Sequence, residues 1–410
     1  MSYDSHMKNP VSTKRPAVWL ITGGAMQRPA AEKIRERGFA LIISDGSAEC
    51  ALRSMADEFL HVDIFDIKGS IAAADELKGR YDLRAVFTAA SDCHETVASV
   101  ARHLGLPGID PSIAHVCRYK YETRALLTKE GIPQPKFRIV KTHVEGLQAL
   151  RDIGTPAALK ATNNSGSRGF ARIESEADFS NEVFECAIQN GTTGSAIIEE
   201  LLIPVEGEIA EQSVETLWYN GEMFWLNWVD RLFRKDFDLF PNVWEESNNP
   251  YKDISWAVEL AHINPAVHAP DVRAATEDMV RRAGLALGMD KQKGGHLLKA
   301  DIMLTQGGPR IIELTPRLSG GWDSSWSTPR RGADFVDGML GLALGEALTP
   351  EYKERYFTYH DEGLYASVLS QVEMDAQDCI GRRFAPGAAY DRTESLREAY
   401  KALRAGNFLG

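Results

Sequence analysis

The sequence predicts an α/β protein of several domains, and three stretches carry that prediction. Residues 17–45 run from an apolar strand through a Gly23-Gly24 turn and a helical segment to a second strand, an order typical of a doubly wound parallel sheet. Residues 132–136 place two prolines around one residue, which favours an extended connector between domains. Residues 297–315 alternate polar and apolar side chains around a Gly-rich turn, which predicts an antiparallel hairpin. We therefore expect an N-terminal doubly wound parallel domain, a small α+β domain and a C-terminal α+β domain with an antiparallel sheet.

Composition narrows the function classes. A chain of 410 residues exceeds what one core usually serves, so two or three domains are expected. The net charge of −12 disfavours nucleic acid or an anionic membrane as partner. No apolar run suits a membrane helix or a secretory signal, and residues 1–6 resemble an expression leader ahead of Met7. Five scattered cysteines without paired spacing indicate reduced thiols and a cytoplasmic setting.

The first domain is expected to present ligand contacts where its strands end. Its predicted elements are strands at 17–22, 40–45 and 85–90 and helices at 30–37 and 94–104. Ligands gather outside the carboxyl ends of such strands, which makes Gly23, His94 and Glu95 candidate substrate contacts. Ordinary polarity at a helix N-terminus explains His94 and Glu95 equally well. Asp45 invites a dinucleotide-binding interpretation, but the loop after the first strand lacks the G-x-G-x-x-G pattern.

The middle of the chain carries a candidate phosphate-binding loop. The expected elements are a helix at 119–131, strands at 137–140, 157–160, 170–173 and 196–202, and a helix at 176–189. Residues 163–169, Asn-Asn-Ser-Gly-Ser-Arg-Gly, offer backbone N–H groups that can cradle phosphate oxygens. Lys160 ends the preceding strand, where its ammonium can meet a phosphate as a point charge. The alternative is a polar hairpin tip with no ligand.

The C-terminal part contains two predicted hairpins. The first turns at Asn220-Gly221 between strands at 211–216 and 223–228, and an aromatic and acidic loop at 231–252 follows, whose length favours a functional role. Helices are expected at 270–287 and 332–344. The second hairpin brings Asp301 and Glu313 onto neighbouring strands with Arg317 just beyond, an arrangement that suits Mg²⁺ bridged to phosphate. A surface hairpin with solvated acids remains the alternative.

Taken in order, these features resemble the ATP-grasp superfamily of carboxylate ligases, which includes D-alanine:D-alanine ligase, biotin carboxylase and the L-amino acid ligases. The resemblance extends over about residues 16–350. It implies an ATP-grasp fold with domains at 1–118, 119–218 and 219–410, the second being a lid, and it implies ATP and Mg²⁺ as cofactors.

The resemblance assigns roles position by position. The phosphate-binding lysines correspond to Lys120 and Lys160. The acid that accepts from the adenine amino group corresponds to Glu199. Metal ligands correspond to Asp301 and Glu313, with Thr315 standing where the family has asparagine. The remaining ATP contacts correspond to the loop residues Ser165, Gly166, Ser167 and Gly169, the hinge residues Glu200 and Leu202, and the ribose acid Glu211, for which Glu208 is an alternative.

The implied activity is the joining of a carboxylate to an amine through an acyl phosphate, with release of ADP and phosphate. Arg317 is the candidate for holding the acyl phosphate, and Lys160 assists it. Trp322, Arg330 and Arg331 are candidate substrate contacts, with an arginine binding a free carboxylate. We expect small, amino-acid-like substrates, and whether the protein forms a homodimer stays open. The alternatives are activation of bicarbonate or formate toward an amine and a non-catalytic ATP-binding protein.

Overall fold

A computed structural model describes residues 14–164, 168–205, 209, 211–233, 259–320, 323–361, 364–368 and 380–384. Among the residues named above, Ser165, Gly166, Ser167, Glu208 and Trp322 lie outside this part of the chain, as does most of the aromatic loop. Residues 231–233 of that loop continue a strand.

The N-terminal sheet is parallel, as predicted, with helices packed against it. Its strands are β1 (Arg15–Ile21), β2 (Ala40–Asp45), β3 (Glu58–His61) and β4 (Tyr81–Phe87), in the order β3-β2-β1-β4. The helices are α1 (Arg28–Glu36), α2 (Ile67–Arg80), α3 (His94–Leu104) and α4 (Pro111–Arg118). The strand expected at 85–90 starts and ends earlier, because the residues after Phe87 form the polar turn that leads into α3.

The small sheet is antiparallel and has the order β5-β8-β6-β7. Its elements are α5 (Lys120–Lys129), β5 (Phe137–Val140), α6 (His143–Ile153), β6 (Ala157–Ala161), β7 (Ala171–Ile173), α7 (Asn181–Gln189) and β8 (Ala196–Glu200). The sequence analysis missed α6. Its signal was the capping box, in which Thr142 accepts from the backbone of Glu145 and the Glu145 side chain accepts from the backbone of Thr142.

The large sheet is antiparallel throughout, in the order β13-β12-β9-β10-β11-β14-β15. Its strands are β9 (Glu211–Tyr219), β10 (Glu222–Phe233), β11 (Glu259–Asn264), β12 (Gly295–Thr305), β13 (Gly308–Thr315), β14 (Leu364–Val368) and β15 (Ile380–Phe384). The helices are α8 (Pro270–Leu287), α9 (Thr328–Arg330), α10 (Phe335–Ala343) and α11 (Pro350–Phe357). Both predicted hairpins form, and Asn220 and Gly221 adopt the positive φ values that a tight turn requires.

The two faces of the large sheet differ in character, and this difference places the site. On β12, Leu298, Ala300 and Ile302 face α8 and form a core with Met279 and Val280. The alternate residues, including Lys299 and Asp301, lie on the other face, since successive side chains of a strand point to opposite sides. Because the apolar residues of β12 pack against α8, its charged residues must lie on the opposite face of the sheet.

Candidate active site

The two predicted metal-binding carboxylates are neighbours. Asp301 pairs directly with Glu313 across β12 and β13, so the two side chains share the polar face. Lys120, the first residue of α5, lies 2.7 Å from Glu313 Oε1 through its Nζ. The same ammonium donates at 2.7 Å to the carbonyl oxygen of Asn164, the second residue of the candidate phosphate loop. Helix, loop and hairpin therefore converge at one ammonium.

Cations also neutralise Asp301. Its carboxylate pairs with Lys299 and lies 3.2 Å from Nη1 of Arg231. Burial alone raises the pKa of Asp301, but the charges of Lys299 and Arg231 hold it below the usual value. Lys120 lowers the pKa of Glu313 against burial in the same way. Both acids are therefore ionised, the state that a metal ligand needs.

The carboxylates fit Mg²⁺, which is commonly held by one or two carboxylates together with phosphate oxygens and water. In the described portion of the chain no group of three or more His, Cys, Asp and Glu side chains is arranged to hold a metal, so an ion here would rely on non-protein oxygens. Thr315 lies opposite Lys299 on the same face, two residues beyond Glu313.

Arg231 forms ion pairs with three carboxylates next to Asp301 and Glu313, one of them Asp301 itself. It pairs with Glu211 and Asp301, and its Nη2 lies 2.6 Å from Glu259 Oε2. Burial raises the pKa of Glu211 to about 7, against the opposing charge of Arg231. Glu211, the expected ribose acid, thus has Arg231 as its partner in this structure.

Lys160, the second predicted phosphate-binding lysine, is part of a buried cluster of charged side chains. Lys160 Nζ is 2.7 Å from Glu199 Oε2, and Arg124 Nε is 2.6 Å from Glu199 Oε1. Arg124 and Glu199 are each only 1% exposed. Despite burial, the charges of Arg124 and Lys160 lower the pKa of Glu199 to about 2. Each oxygen of this carboxylate thus accepts from one cation, and the contact with an adenine amino group stays a prediction.

Arg124 is a functional candidate that the sequence analysis missed. Besides Glu199, it donates to the carbonyl oxygens of Ile311 at 3.3 Å and Ile312 at 2.6 Å. It thereby joins α5, β8 of the small sheet and β13 of the large one. A single arginine among ordinary helical residues has no sequence signature, and only its depth of burial identifies it.

The hinge and the loop end have mainly local roles. Glu200 accepts from the backbone N–H of Lys136 at 3.2 Å, and Leu202 is buried directly after β8. Gly169 has a φ of 71°, and a Cβ there would lie 2.7 Å from Cβ of Asn190. Glycine is therefore required at that position by conformation and by packing.

The N-terminal sheet contributes Arg317's partner. Arg317 Nη2 lies 2.7 Å from Asp92 Oδ1, at the turn before α3. Glu95 meets Nδ1 of His115 at 2.6 Å. Gly23 is corrected as a substrate contact, since it is buried, its N–H donates to Asp45 and an added Cβ would collide with Cys50. His94 is buried at the start of α3.

The two arginines after β13 differ. Arg330 is exposed, whereas Arg331 is buried, donates to Asn264 Oδ1 at 2.6 Å and stacks 3.6 Å above the ring of Tyr359. The predicted bidentate grip on a substrate carboxylate does not match the contacts of Arg331, because its guanidinium already serves Asn264 and Tyr359.

A second acidic group, also missed from the sequence, occupies the same polar face. Asn227 Nδ2 donates to Glu215 Oε2 at 3.1 Å and to Asp323 Oδ2 at 3.0 Å. Burial and the proximity of Asp323 raise the pKa of Glu215 to about 7, and burial raises that of Asp323 to about 6. Glu215 lies two residues from Ser213 and four from Glu211 on β9, and this period-two pattern was the available signal.

Replacing Glu215 by glutamine is expected to raise the melting temperature relative to the parent, increasingly so from about pH 5 to about pH 8. An acid whose folded pKa exceeds its unfolded value of 4.5 stabilises the fold while protonated, and that contribution is lost as pH rises toward about 7. Buried neutral His94 and His262, with pKa values lowered to about 4, act oppositely, so the quantity to measure is the difference between variant and parent. Exposed Glu222→Gln is the control, and an equal pH dependence in both variants would contradict the prediction.

The chain is similar in sequence to several known proteins, among them two ligases. No protein-family model matches the chain. It is 26% identical over 289 residues to uncharacterized protein y4rH of Sinorhizobium fredii, covering 70% of this chain and 55% of that protein. It is 21% identical over 342 residues to carnosine synthase 1 of Mus musculus, covering 79% and 39%, and 26% identical over 233 residues to alanine–anticapsin ligase of Bacillus amyloliquefaciens, covering 55% and 46%. The chain thus spans about half the length of these relatives or less.

Solved structures agree on the fold. An L-amino acid ligase from Bacillus licheniformis superposes with a TM-score of 0.65 at 20% identity, covering 88% of this chain and 82% of that one. The biotin carboxylase domain of the Hydrogenobacter thermophilus 2-oxoglutarate carboxylase, solved as a dimer with MgADP, ADP and bicarbonate, has a TM-score of 0.64 at 16% identity, covering 86% and 74%. The chain therefore has the ATP-grasp fold.

No helix among the described residues is long and apolar enough to cross a membrane.

Proposed function

We propose that the chain is an ATP-dependent, Mg²⁺-requiring ligase that joins a carboxylate to an amine, with amino-acid-like molecules as substrates. The observation that carries the proposal is the convergence at Lys120, whose ammonium donates both to Glu313 of the hairpin and to the carbonyl oxygen of Asn164 in the candidate phosphate loop. The ligase relatives and the ligand-bound ATP-grasp neighbour support it.

The chain's residues supply charge and position. Asp301 and Glu313 would hold Mg²⁺, while Lys120 and Lys160 would bind phosphate oxygens. When bound, MgATP supplies the phosphoryl group that makes a carboxylate reactive toward an amine. Phosphoryl transfer requires mainly that the protein position the reacting groups and neutralise the negative charge that develops on them. Arg317, whose guanidinium pairs with Asp92, would stabilise the negative oxygens of the activated carboxyl group.

Glu199 has a supporting role in this proposal. Its ionised carboxylate holds Lys160 and would set where that ammonium meets a phosphate, and Arg124 offsets the remaining charge. Adenine recognition would then fall to the backbone of the hinge at Glu200 and Leu202 rather than to the Glu199 side chain.

The decisive experiment measures ADP release from MgATP with pairs of carboxylates and amines. The proposal expects release that requires both substrates and yields an amide product. Release with bicarbonate or formate as the acid would favour activation of a small acid. Tight ATP binding without release, across a broad panel of pairs, would contradict the proposal and favour a binding protein.

Lys120→Ala and Lys160→Ala are each expected to weaken ATP binding by roughly ten- to a hundredfold, since each removes a charge-assisted contact to phosphate. Titration calorimetry measures the affinity, and thermal unfolding checks the fold. Lys129→Ala on the same helix α5 is the matched control, because the Lys129 side chain is 78% exposed and pairs only with its neighbour Glu130 among the described ion pairs. A variant that binds ATP as tightly as the Lys129 control would remove that lysine from the site.

A further inference from the structure

A cavity of about 100 Å³ lies between the N-terminal sheet and the large sheet. Its wall combines α3, the beginning of β12, the residues after β13 and α10. Most of the lining side chains are apolar, among them Val97, Leu297 and Met339, and the polar ones include His94 and Arg317. The roles given so far to Arg317 and His94 do not say which group would occupy this space.

His94 has an unusual position in that wall. It is 4% exposed, and within the described structure neither ring nitrogen has a hydrogen-bond partner. His296, which lines the same cavity, instead has its Nε2 2.8 Å from the carbonyl oxygen of Lys293. A buried polar group without a partner is costly, so an imidazole left in this state calls for a ligand that pairs with it.

Burial keeps the imidazole of His94 neutral. Burial lowers its pKa to about 4; Asp92 and Glu313 act in the opposite direction, while Arg317 and Arg118 reinforce the lowering. A neutral imidazole offers one donor and one acceptor, so the group that pairs with it best is itself able to donate and accept, such as a hydroxyl.

The cavity adjoins the proposed reaction centre. Arg317 forms part of its wall, and Arg317 is the residue assigned above to the activated carboxyl group. A substrate whose carboxyl group lies at Arg317 therefore has this space available for its side chain.

The volume limits that side chain. An engineered apolar cavity of about 150 Å³ accepts benzene, and one water occupies about 30 Å³ of liquid, so about 100 Å³ accepts a group of roughly four heavy atoms. We propose that the cavity is the side-chain pocket for the activated acid, specific for a short aliphatic side chain whose hydroxyl group pairs with His94. This proposal rests on the proposed ligase function for its link to the reaction.

Direct binding to the full chain tests the pocket without relying on turnover. Calorimetric titration with glycine, alanine, threonine, valine, leucine and phenylalanine should show tightest binding for threonine. Threonine should exceed the equally sized valine by about tenfold or more, since one satisfied hydrogen bond is worth that ratio. His94→Leu should bring the ratio of threonine to valine affinity close to one.

Ala98→Val supplies a second test that keeps His94. Ala98 is buried on α3 and lines the cavity, so two added methyl groups should weaken threonine and valine binding while sparing glycine and alanine. Ala74→Val is the matched control, since Ala74 is equally buried on helix α2 and takes no part in the cavity wall. The control should keep the parent's profile.

Three outcomes would overturn the pocket: a parent that binds none of the series, a profile unaffected by side-chain size, or the same profile in Ala98→Val as in Ala74→Val. Each would mean that the cavity does not bind the substrate's side chain. ADP release measured on the same samples separates the two proposals. Selective binding without ADP release contradicts the ligase function alone, whereas release with an unselective profile contradicts the pocket alone.

Discussion

Glu313→Gln is expected to reduce turnover by more than about a hundredfold with little change in melting temperature. Even residues that only support metal ligands are commonly worth about ten- to a hundredfold, so loss of a direct ligand should exceed that range. Glutamine keeps the shape of the side chain and removes the charge, and the half-buried Lys120 that faces it can turn toward solvent or phosphate. Steady-state ADP release, measured as a function of Mg²⁺ concentration, gives the result.

Asp301→Asn provides the companion measurement. It should lower turnover similarly but cost more stability, because Asp301 is buried between Lys299 and Arg231, which would lose their shared carboxylate. Exposed Glu222→Gln, at the far end of β10, controls for removal of one negative charge. Parental rates for Glu313→Gln at saturating Mg²⁺ would refute the metal-binding assignment.

Arg124→Met is expected to destabilise the protein by roughly 3 kcal/mol. Removing one partner of a buried ion pair commonly costs that much, because the remaining charge is left uncompensated. Glu199 would keep Lys160, but the carbonyl oxygens of Ile311 and Ile312 would lose their donor as well. Methionine matches the length of the arginine stem and offers no hydrogen-bond donor. The midpoint of urea unfolding, followed by circular dichroism, measures the loss.

Arg151→Met is the matched control for Arg124. Arg151, on helix α6, forms a bidentate pair with Glu176 in which both side chains are exposed, and exposed pairs of this kind contribute little. If the two variants unfolded at the same urea concentration, the contacts of Arg124 with Glu199, Ile311 and Ile312 would not contribute measurably to stability. A lower ATP affinity in Arg124→Met would in addition be expected, because Glu199 positions Lys160.

The hairpin shows how much of the candidate site the sequence could predict. Its strands alternate polar and apolar residues, and a period of two is local information. Asp301 and Glu313 could therefore be assigned to one face, and the register pairs them directly. Lys160 was assignable for a similar reason, since it ends a short apolar strand next to a polar loop.

Contacts between distant segments could not be predicted in the same way. Arg124 and Glu199 are 75 positions apart, and Arg317 and Asp92 are 225 apart. Nothing in local periodicity relates such residues, and an arginine or glutamate in an amphipathic segment is normally solvated. The resemblance assigned adenine recognition to Glu199, and it gave no sign of the two cations, Arg124 and Lys160, that pair with this carboxylate.

The sequence by itself determined three features of the structure: the parallel N-terminal sheet, the two hairpins, and the placement of acids opposite one another on β12 and β13. These follow from backbone geometry and from the need to bury apolar side chains, which act over a few residues. Tertiary structure alone decided which charges neutralise which, that Gly23 serves packing and Arg331 serves Asn264, and that His94 borders a cavity without a partner. Such pairings depend on desolvation and distance between segments far apart in the chain, and both exist only once the sheets have packed together.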